Sequence, residues 1–127
     1  EERMMEKLSV VEGIARQRYL RVSPRKLHKL AKQFVGKRVD EALSMLEHFP
    51  GKRAIILYKA IKSAAANARQ KVAPDPLPDE ELYIHQLKVD RALILKRWEF
   101  RARGRADIRR TRWSHLTVKV SNEEPET

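Results

Sequence analysis

The chain has no cysteine, which removes disulfides, thiolate chemistry and cysteine-based zinc sites from consideration. No apolar run approaches the roughly 20 residues that span a bilayer, so a soluble chain with no membrane partner is expected. Neither GxGxxG nor GxxxxGK[ST] occurs, and the glycine at Gly104 stands in too short a run to cradle a phosphate ahead of a helix. The four histidines, His28, His48, His85 and His115, are scattered one per segment without an i, i+4 pair, which argues against metal ligation. Paired acids such as Asp79-Glu80-Glu81 and Glu123-Glu124 sit in connecting or terminal sequence, where they stay solvated and untuned. No enzyme and no cofactor emerge from this inventory.

Acidic residues are also missing where they would matter most. Between Arg16 and Arg38 there are nine Lys/Arg and no acid. Between Arg91 and Arg112 there are nine more, Arg91, Lys96, Arg97, Arg101, Arg103, Arg105, Arg109, Arg110 and Arg112, against only Glu99 and Asp107. The whole chain carries +11, so the remainder, with 10 basic and 15 acidic residues, is net negative. Charge this dense and this polarised cannot be buried, because each unpaired cation would lose its hydration. Confinement to two tracts is the footprint of a polyanion partner, whereas a uniformly basic surface would indicate only solubility.

The length of 127 residues fits one domain with one modest core. Residues 1–14 read as an N-terminal extension, 15–122 as a single domain and 123–127 as an acidic tail. The chain begins at Glu1 rather than methionine, which leaves open an organellar targeting peptide, trimming or disorder upstream. Ala15 to Val22 alternates as a short strand. Ser23-Pro24 then caps and opens a helix, with Leu27, Leu30, Ala31 and Phe34 as its buried stripe and Gly36 placed to end it. Asp40 is a second N-cap candidate for a short helix stopped by Pro50-Gly51. A third and longest helix is predicted from Lys52 to Val72, where Ala64, Ala65 and Ala68 allow a neighbouring element close approach. The proline-rich segment 74–81 reads as a surface connection.

From Leu82 the pattern has period two, with Leu82, Ile84 and Gln86 on one side and Tyr83, His85, Leu87 and Val89 on the other. Leu116, Val118 and Val120 alternate in the same way with Thr117 and Lys119. If these segments pair, the connection between Asp90 and Ser114 is a long two-stranded ribbon turning near Arg103-Gly104-Arg105, since so long a structureless loop is uncommon. With about 13 residues per arm at roughly 3.3 Å each, it would reach on the order of 40 Å. The expected class is α+β, with three helices packed on a small antiparallel sheet and a protruding β-hairpin over about 88–118.

Arginine outnumbers lysine eight to one in the ribbon, and guanidinium groups bind phosphate bidentately and stack on bases. Trp98, Phe100 and Trp113 interleave with them, which suits the unstacked bases of folded or single-stranded RNA; mutual packing of these aromatics across the strands is an equal alternative. No helix-turn-helix, zinc finger or basic zipper pattern points to DNA reading.

Three blocks, YLRVSPRKLHKLAKQFVGKRVDEALSMLE, KAIKSAAANA and LKRWEFRARGRADIRRTRWSHLTVKV, resemble in order and spacing the family of ribosomal protein twenty-two of the bacterial large subunit, over roughly residues 15 to 120. The resemblance implies an α+β body outside the subunit and a hairpin that passes through rRNA to line the nascent-peptide exit tunnel and supports subunit assembly. It implies large-subunit rRNA, neighbouring ribosomal proteins and the nascent peptide as partners, with Mg2+ carried by the RNA. It would place Arg103, Gly104, Arg105 and Ala106 at the tip. The full expected rRNA-binding set is Arg18, Arg21, Ser23, Pro24, Arg25, Lys26, Lys29 and Lys37 with Lys96, Arg97, Trp98, Arg101, Arg103, Gly104, Arg105, Arg109, Arg110 and Arg112. The sequence departs from the family pattern at Ala92-Leu93, where Gly-Pro is usual, and at Trp98-Glu99-Phe100, where a more basic, proline-containing stretch is usual. Glu99 needs an arginine or a magnesium ion between it and phosphate. These departures favour an organellar (mitochondrial) ribosome over a bacterial one, and the competing function is a free RNA chaperone or nucleoid-type protein.

Overall fold

A computed structural model describes residues 11–71 and 81–125. In chain order these form strand β1 (Glu12–Leu20), helices α1 (Pro24–Ala31), α2 (Val39–His48) and α3 (Lys52–Gln70), strand β2 (Tyr83–Phe100), a 3-10 turn at Ala102–Gly104, and strand β3 (Ala106–Ser121). The strands make one antiparallel sheet in the order β1-β3-β2, so the last strand is the central one. The helices pack on one face of it, and the class is the α+β arrangement with a long hairpin that the sequence predicts. Among the described residues no helix is long and apolar enough to cross a membrane. The proline-rich connection from Pro74 to Glu80, residues 1–10 and the last two residues of the acidic tail lie outside the described residues.

The core follows from the helical and strand periods. Leu27 and Ala31 of α1, Val39, Ala42 and Leu46 of α2, and Leu57, Ile61, Ala64 and Ala68 of α3 are buried against Ile84, Leu87, Leu116, Val118 and Val120 of the sheet. The alanine face of α3 admits β1 at close range. A Cβ on Gly13 would lie 2.2 Å from the Ala64 carbonyl oxygen and 2.7 Å from the Ala68 Cβ, so only glycine fits there. The Asn67 side-chain amide donates to the Ile14 carbonyl at 2.9 Å and fixes the same contact.

Several boundaries differ from the expected ones. Strand β1 begins at Glu12, three residues before Ala15, because Glu12, Gly13 and Ile14 already pair with Ser121, Val120 and Lys119. Helix α1 stops at Ala31 instead of running to Gly36. The backbone beyond it is taken up by the edge of β2: the Gly36 N–H donates to the Ile84 carbonyl (2.8 Å), the Ile84 N–H to Lys37 (2.9 Å) and the Val39 N–H to Leu82 (2.9 Å). That docking also covers the first residues of the β2 edge. Helix α2 starts at Val39 with Arg38 in the cap position, which puts Asp40 in the first turn rather than at the cap. The end of α3 at Gln70 leaves Lys71 as its cap, and Val72 lies outside the described residues.

The expected face assignment in β2 is corrected by one residue. Ile84 pairs with Val120 and Gln86 with Lys119, so His85 is an extra residue in a bulge. The bulge moves Leu87 onto the core side, where it pairs with Val118, and leaves Gln86 exposed. Strict alternation fails here because a bulge resets the side-chain parity of one strand only.

The Gly13 contact gives a direct test. Gly13→Ala should destabilise the fold by about 1–3 kcal/mol, since the atoms it meets are backbone and a helix-bound Cβ that cannot swing away. Urea unfolding followed by circular dichroism measures this, with an unchanged midpoint as the contrary result.

Candidate nucleic-acid interface

Beyond the body the sheet narrows to two strands. Strand β1 makes its last pair with β3 at Leu20 and Ser114, so the arms Ala92–Phe100 and Ala106–Trp113 run on unaccompanied. At roughly 3.3 Å per residue this free finger is about 30 Å long, shorter than the expected reach because residues 101–105 are taken up by the turn and the longer arm ends at Phe100.

Register decides which charges meet. Lys96 stands directly opposite Arg110, and Arg97 directly opposite Arg109, on alternate faces of the ribbon. Like charges opposite one another destabilise a strand pair, and among the described residues no carboxylate lies within ion-pair distance of these four. The face that holds Lys96 and Arg110 also presents Ile94, Trp98, Phe100 and Ile108. Trp98 is 69% and Phe100 85% exposed, and neither makes a ring contact with another aromatic. Of the two expectations for these side chains, mutual packing is thus not what the free chain does.

The tip handles its charge differently. Glu99 and Asp107 face each other across the strands, a repulsive pair that the Arg101 side chain bridges, with Nη2 3.5 Å from Glu99 Oε2 and Nε 3.2 Å from Asp107 Oδ2. The partner that Glu99 requires is therefore an arginine of its own finger. The turn closes by a 2.7 Å bond from the Arg101 N–H to the Arg105 carbonyl, with Arg103 at φ 62° and Gly104 at φ 72°. Two successive left-handed residues make glycine the economical choice at Gly104 and put mild strain on Arg103.

The expected residues do not share one environment. Arg103, Gly104 and Arg105 form the tip, while Lys96, Arg97, Trp98, Arg109, Arg110 and Arg112 line the arms, all exposed. Arg101 is engaged by two carboxylates. Ser23, Pro24 and Arg25 meet the finger at its root, where they share a cleft of about 400 Å³ with Arg91, Ala92, Ile94, Arg112 and Trp113. Arg21, Lys26 and Lys29 are exposed beside that root or along α1. Lys37 is set apart: half-buried, its Nζ lies 3.4 Å from Met45 Sδ and 5.5 Å from the centre of the Phe34 ring. Arg38 is likewise spent internally, its guanidinium raised from the ordinary value by the hydrogen bond to Glu41 at 2.6 Å and by the charges of Glu41 and Asp40.

Arg18 lies on the other face of the sheet, in a second hollow of about 400 Å³ with Arg16, Lys88, Asp90, His115 and Thr117. The expected set omits Arg16, Lys88 and Arg91. Arg16 and Arg91 belong to the dense tracts and could have been included on that ground, whereas Lys88 joins them only through strand pairing. A bulge between Gln17 and Leu20 leaves Tyr19 at φ 57°, held by its N–H donating to His115 Nδ1 at 3.0 Å and by an edge contact of the two rings at 4.9 Å. His115 is thereby a structural acceptor.

A small α+β body carrying an arginine-rich two-stranded finger defines the class of protein. The particular family follows from comparison: the ribosomal protein L22p/L17e family matches residues 15–121, and this chain belongs to it. A protein of Desulforamulus reducens called large ribosomal subunit protein uL22 is 44% identical over 112 residues, 88% of this chain and 96% of its own. Proteins of the same name from Bifidobacterium longum and a Thermotoga species are each 40% identical, over 90% and 97% of this chain and 98% and 76% of theirs. These relatives are bacterial and lend no support to the organellar expectation.

The arginine bridge at the tip predicts a local effect. Arg101→Ala should speed amide hydrogen exchange at Arg101 and Arg105 by about fivefold or more while leaving exchange in α3 unchanged. Unaltered exchange at the tip would show that the bridge does not hold the turn.

Proposed function

We propose that the chain is a non-catalytic structural constituent of the large ribosomal subunit, where the finger lies among rRNA segments. Family membership supports the subunit, and the unpaired facing cations support the RNA. The single observation that carries the reading is the pair of like-charged steps, Lys96 with Arg110 and Arg97 with Arg109. An isolated two-stranded ribbon is marginal in water, and these pairs weaken it further. Phosphates on both faces would turn each repulsive step into two charge-assisted contacts, so the ribbon and a folded RNA order one another.

In this reading the tip, Arg103-Gly104-Arg105, reaches the nascent-peptide exit tunnel, the body stays on the outer side against neighbouring ribosomal proteins, and Mg2+ comes with the RNA. The function is electrostatic and geometric: cations neutralise phosphates where RNA segments converge, and the finger ties those segments together during assembly. The exposure of Trp98 and Phe100 beside Lys96 and Arg110 supports a role in stacking on unpaired bases.

Each phosphate contact contributes a slope of about −0.7 to −0.9 to log K against log salt. Arg109→Gln or Arg110→Gln should therefore flatten the salt dependence of binding to large-subunit rRNA by roughly one unit. In gradient sedimentation of a lysate the protein should travel with large subunits and intact ribosomes. Wild-type salt slopes in both variants, or a protein found mainly in light fractions as a free RNA chaperone would be, would overturn the reading.

A further inference from the structure

The finger and the body meet at a cleft that neither basic tract reveals by itself. Its lining comes from three elements: Ser23, Pro24 and Arg25 at the start of α1, Arg91, Ala92 and Ile94 on β2, and Arg112 and Trp113 on β3. Two features of the sequence create it. A bulge between Arg91 and Ile94 sets two β2 residues, Ala92 and Leu93, against the single residue Trp113, bending the strand where the finger leaves the body. One of those residues is alanine, whose small side chain leaves the space open.

We infer that this cleft seats one unstacked RNA nucleotide, with its phosphate among Arg25, Arg91 and Arg112 and its base on the apolar floor of Pro24, Ala92 and Ile94. The inference rests on the RNA-binding reading above and names a site within it. Three guanidinium groups from separate elements line a single concavity, and among the described residues none has a carboxylate within ion-pair distance. Guanidinium is the group best matched to a phosphate, through paired parallel N–H donors. The start of α1 adds to the anion preference. No acid occupies its first turn, and the Ser23 hydroxyl makes no capping bond to its own helix, which leaves a half-buried donor in the lining.

Size and surface narrow the occupant further. A cleft of about 400 Å³ lies at the lower end of ligand-sized pockets. It is too small for a duplex segment, whose bases are in any case stacked away from contact. A floor of proline, alanine and isoleucine offers flat apolar contact of the kind a base face seeks once it is splayed out of a strand. The hollow on the opposite sheet face lacks this combination. It is lined by Arg16, Arg18 and Lys88 but also by the Asp90 carboxylate, which stands 3.9 Å from the Lys88 ammonium. That hollow therefore serves as the internal control.

The test uses the full chain and a single-stranded uridine octamer carrying 4-thiouridine, with binding read by fluorescence anisotropy and photocrosslinks mapped by mass spectrometry. Crosslinks are expected on Pro24 or on the segment Ala92–Ile94. Ala92→Trp fills the cleft without changing charge, and should remove these crosslinks and weaken binding at least threefold. The double variant Arg91→Gln/Arg112→Gln should weaken binding about tenfold, and Arg16→Gln/Arg18→Gln should leave the root crosslinks in place. Binding that persists with crosslinks only elsewhere, or an Ala92→Trp variant indistinguishable from wild type, would overturn the nucleotide seat while leaving RNA binding standing. Displacement of the octamer from the root by an octaglutamate peptide at equal charge would assign the cleft to an acidic protein segment instead. Absence of any RNA binding would overturn both readings.

Discussion

The structure depends on one strand serving two masters. Strand β3 is the centre of the body sheet from Ser114 to Ser121, flanked by β1 and β2 and buried on its helix side through Leu116, Val118 and Val120. The same strand continues without a break in register of its own through Arg112, Arg110 and Ile108 to the tip, where almost every side chain is exposed. A ribbon with no core cannot hold its direction by burial. It inherits direction from the buried half of β3, as a beam does from the wall that clamps its end. The close α3 contact at Gly13 matters for the finger for this reason: it seats β1 beside β3, and β1 is half of the clamp.

Irregularities concentrate where the clamp ends. On one flank of β3 a bulge lies between Gln17 and Leu20, and on the other between Arg91 and Ile94, so both neighbours carry an extra residue near Ser114. Bulges bend and twist a strand pair and often mark sites of function. Here they fall where β1 leaves the sheet and where the finger leaves the body, and in both the extra residue is on the neighbour rather than on β3. The cost is visible in Tyr19, a non-glycine residue at positive φ that the His115 ring holds by a hydrogen bond and an edge contact. The same pair of bulges brings α1 against β2 and β3 and opens the cleft between them.

Much of this was legible in the sequence, and the limits have identifiable causes. The helices, the alternating strands, the turn at Arg103-Gly104 and the polarised charge all follow from local period and composition, whereas the strand order, with β3 in the centre, was not read from the sequence. Face assignment past Ile84 failed because a bulge is set by cross-strand pairing that period-two counting cannot see. The early end of α1 was hidden because its cause is distant: backbone groups of residues 36–39 are claimed by Leu82 and Ile84. Asp40 looked like a cap by type, yet Arg38 holds the position and draws Asp40 and Glu41 into a charge cluster. Charge counting marked Lys37 and Arg101 as available for RNA without showing that sulfur and a ring surround one and two carboxylates hold the other.

Those two carboxylates explain why the finger is not uniformly basic. An arm of cations alone would repel itself along its whole length, and its turn, with the fewest pairing bonds, would open first. Glu99 and Asp107 sit one step from that turn and are adjacent across the ribbon, so with Arg101 they form a small alternating cluster that is attractive where the rest is repulsive. The tip is thus closed by the chain itself, by the Arg101 N–H bond to Arg105 and by this bridge, before any partner arrives. The middle of the finger is left as the region whose order is conditional, since there Lys96 faces Arg110 and Arg97 faces Arg109 with nothing between them. Root, tip and middle thus follow three different rules along one ribbon: burial orders the first, ion pairing closes the second, and like-charge repulsion leaves the third the least secured.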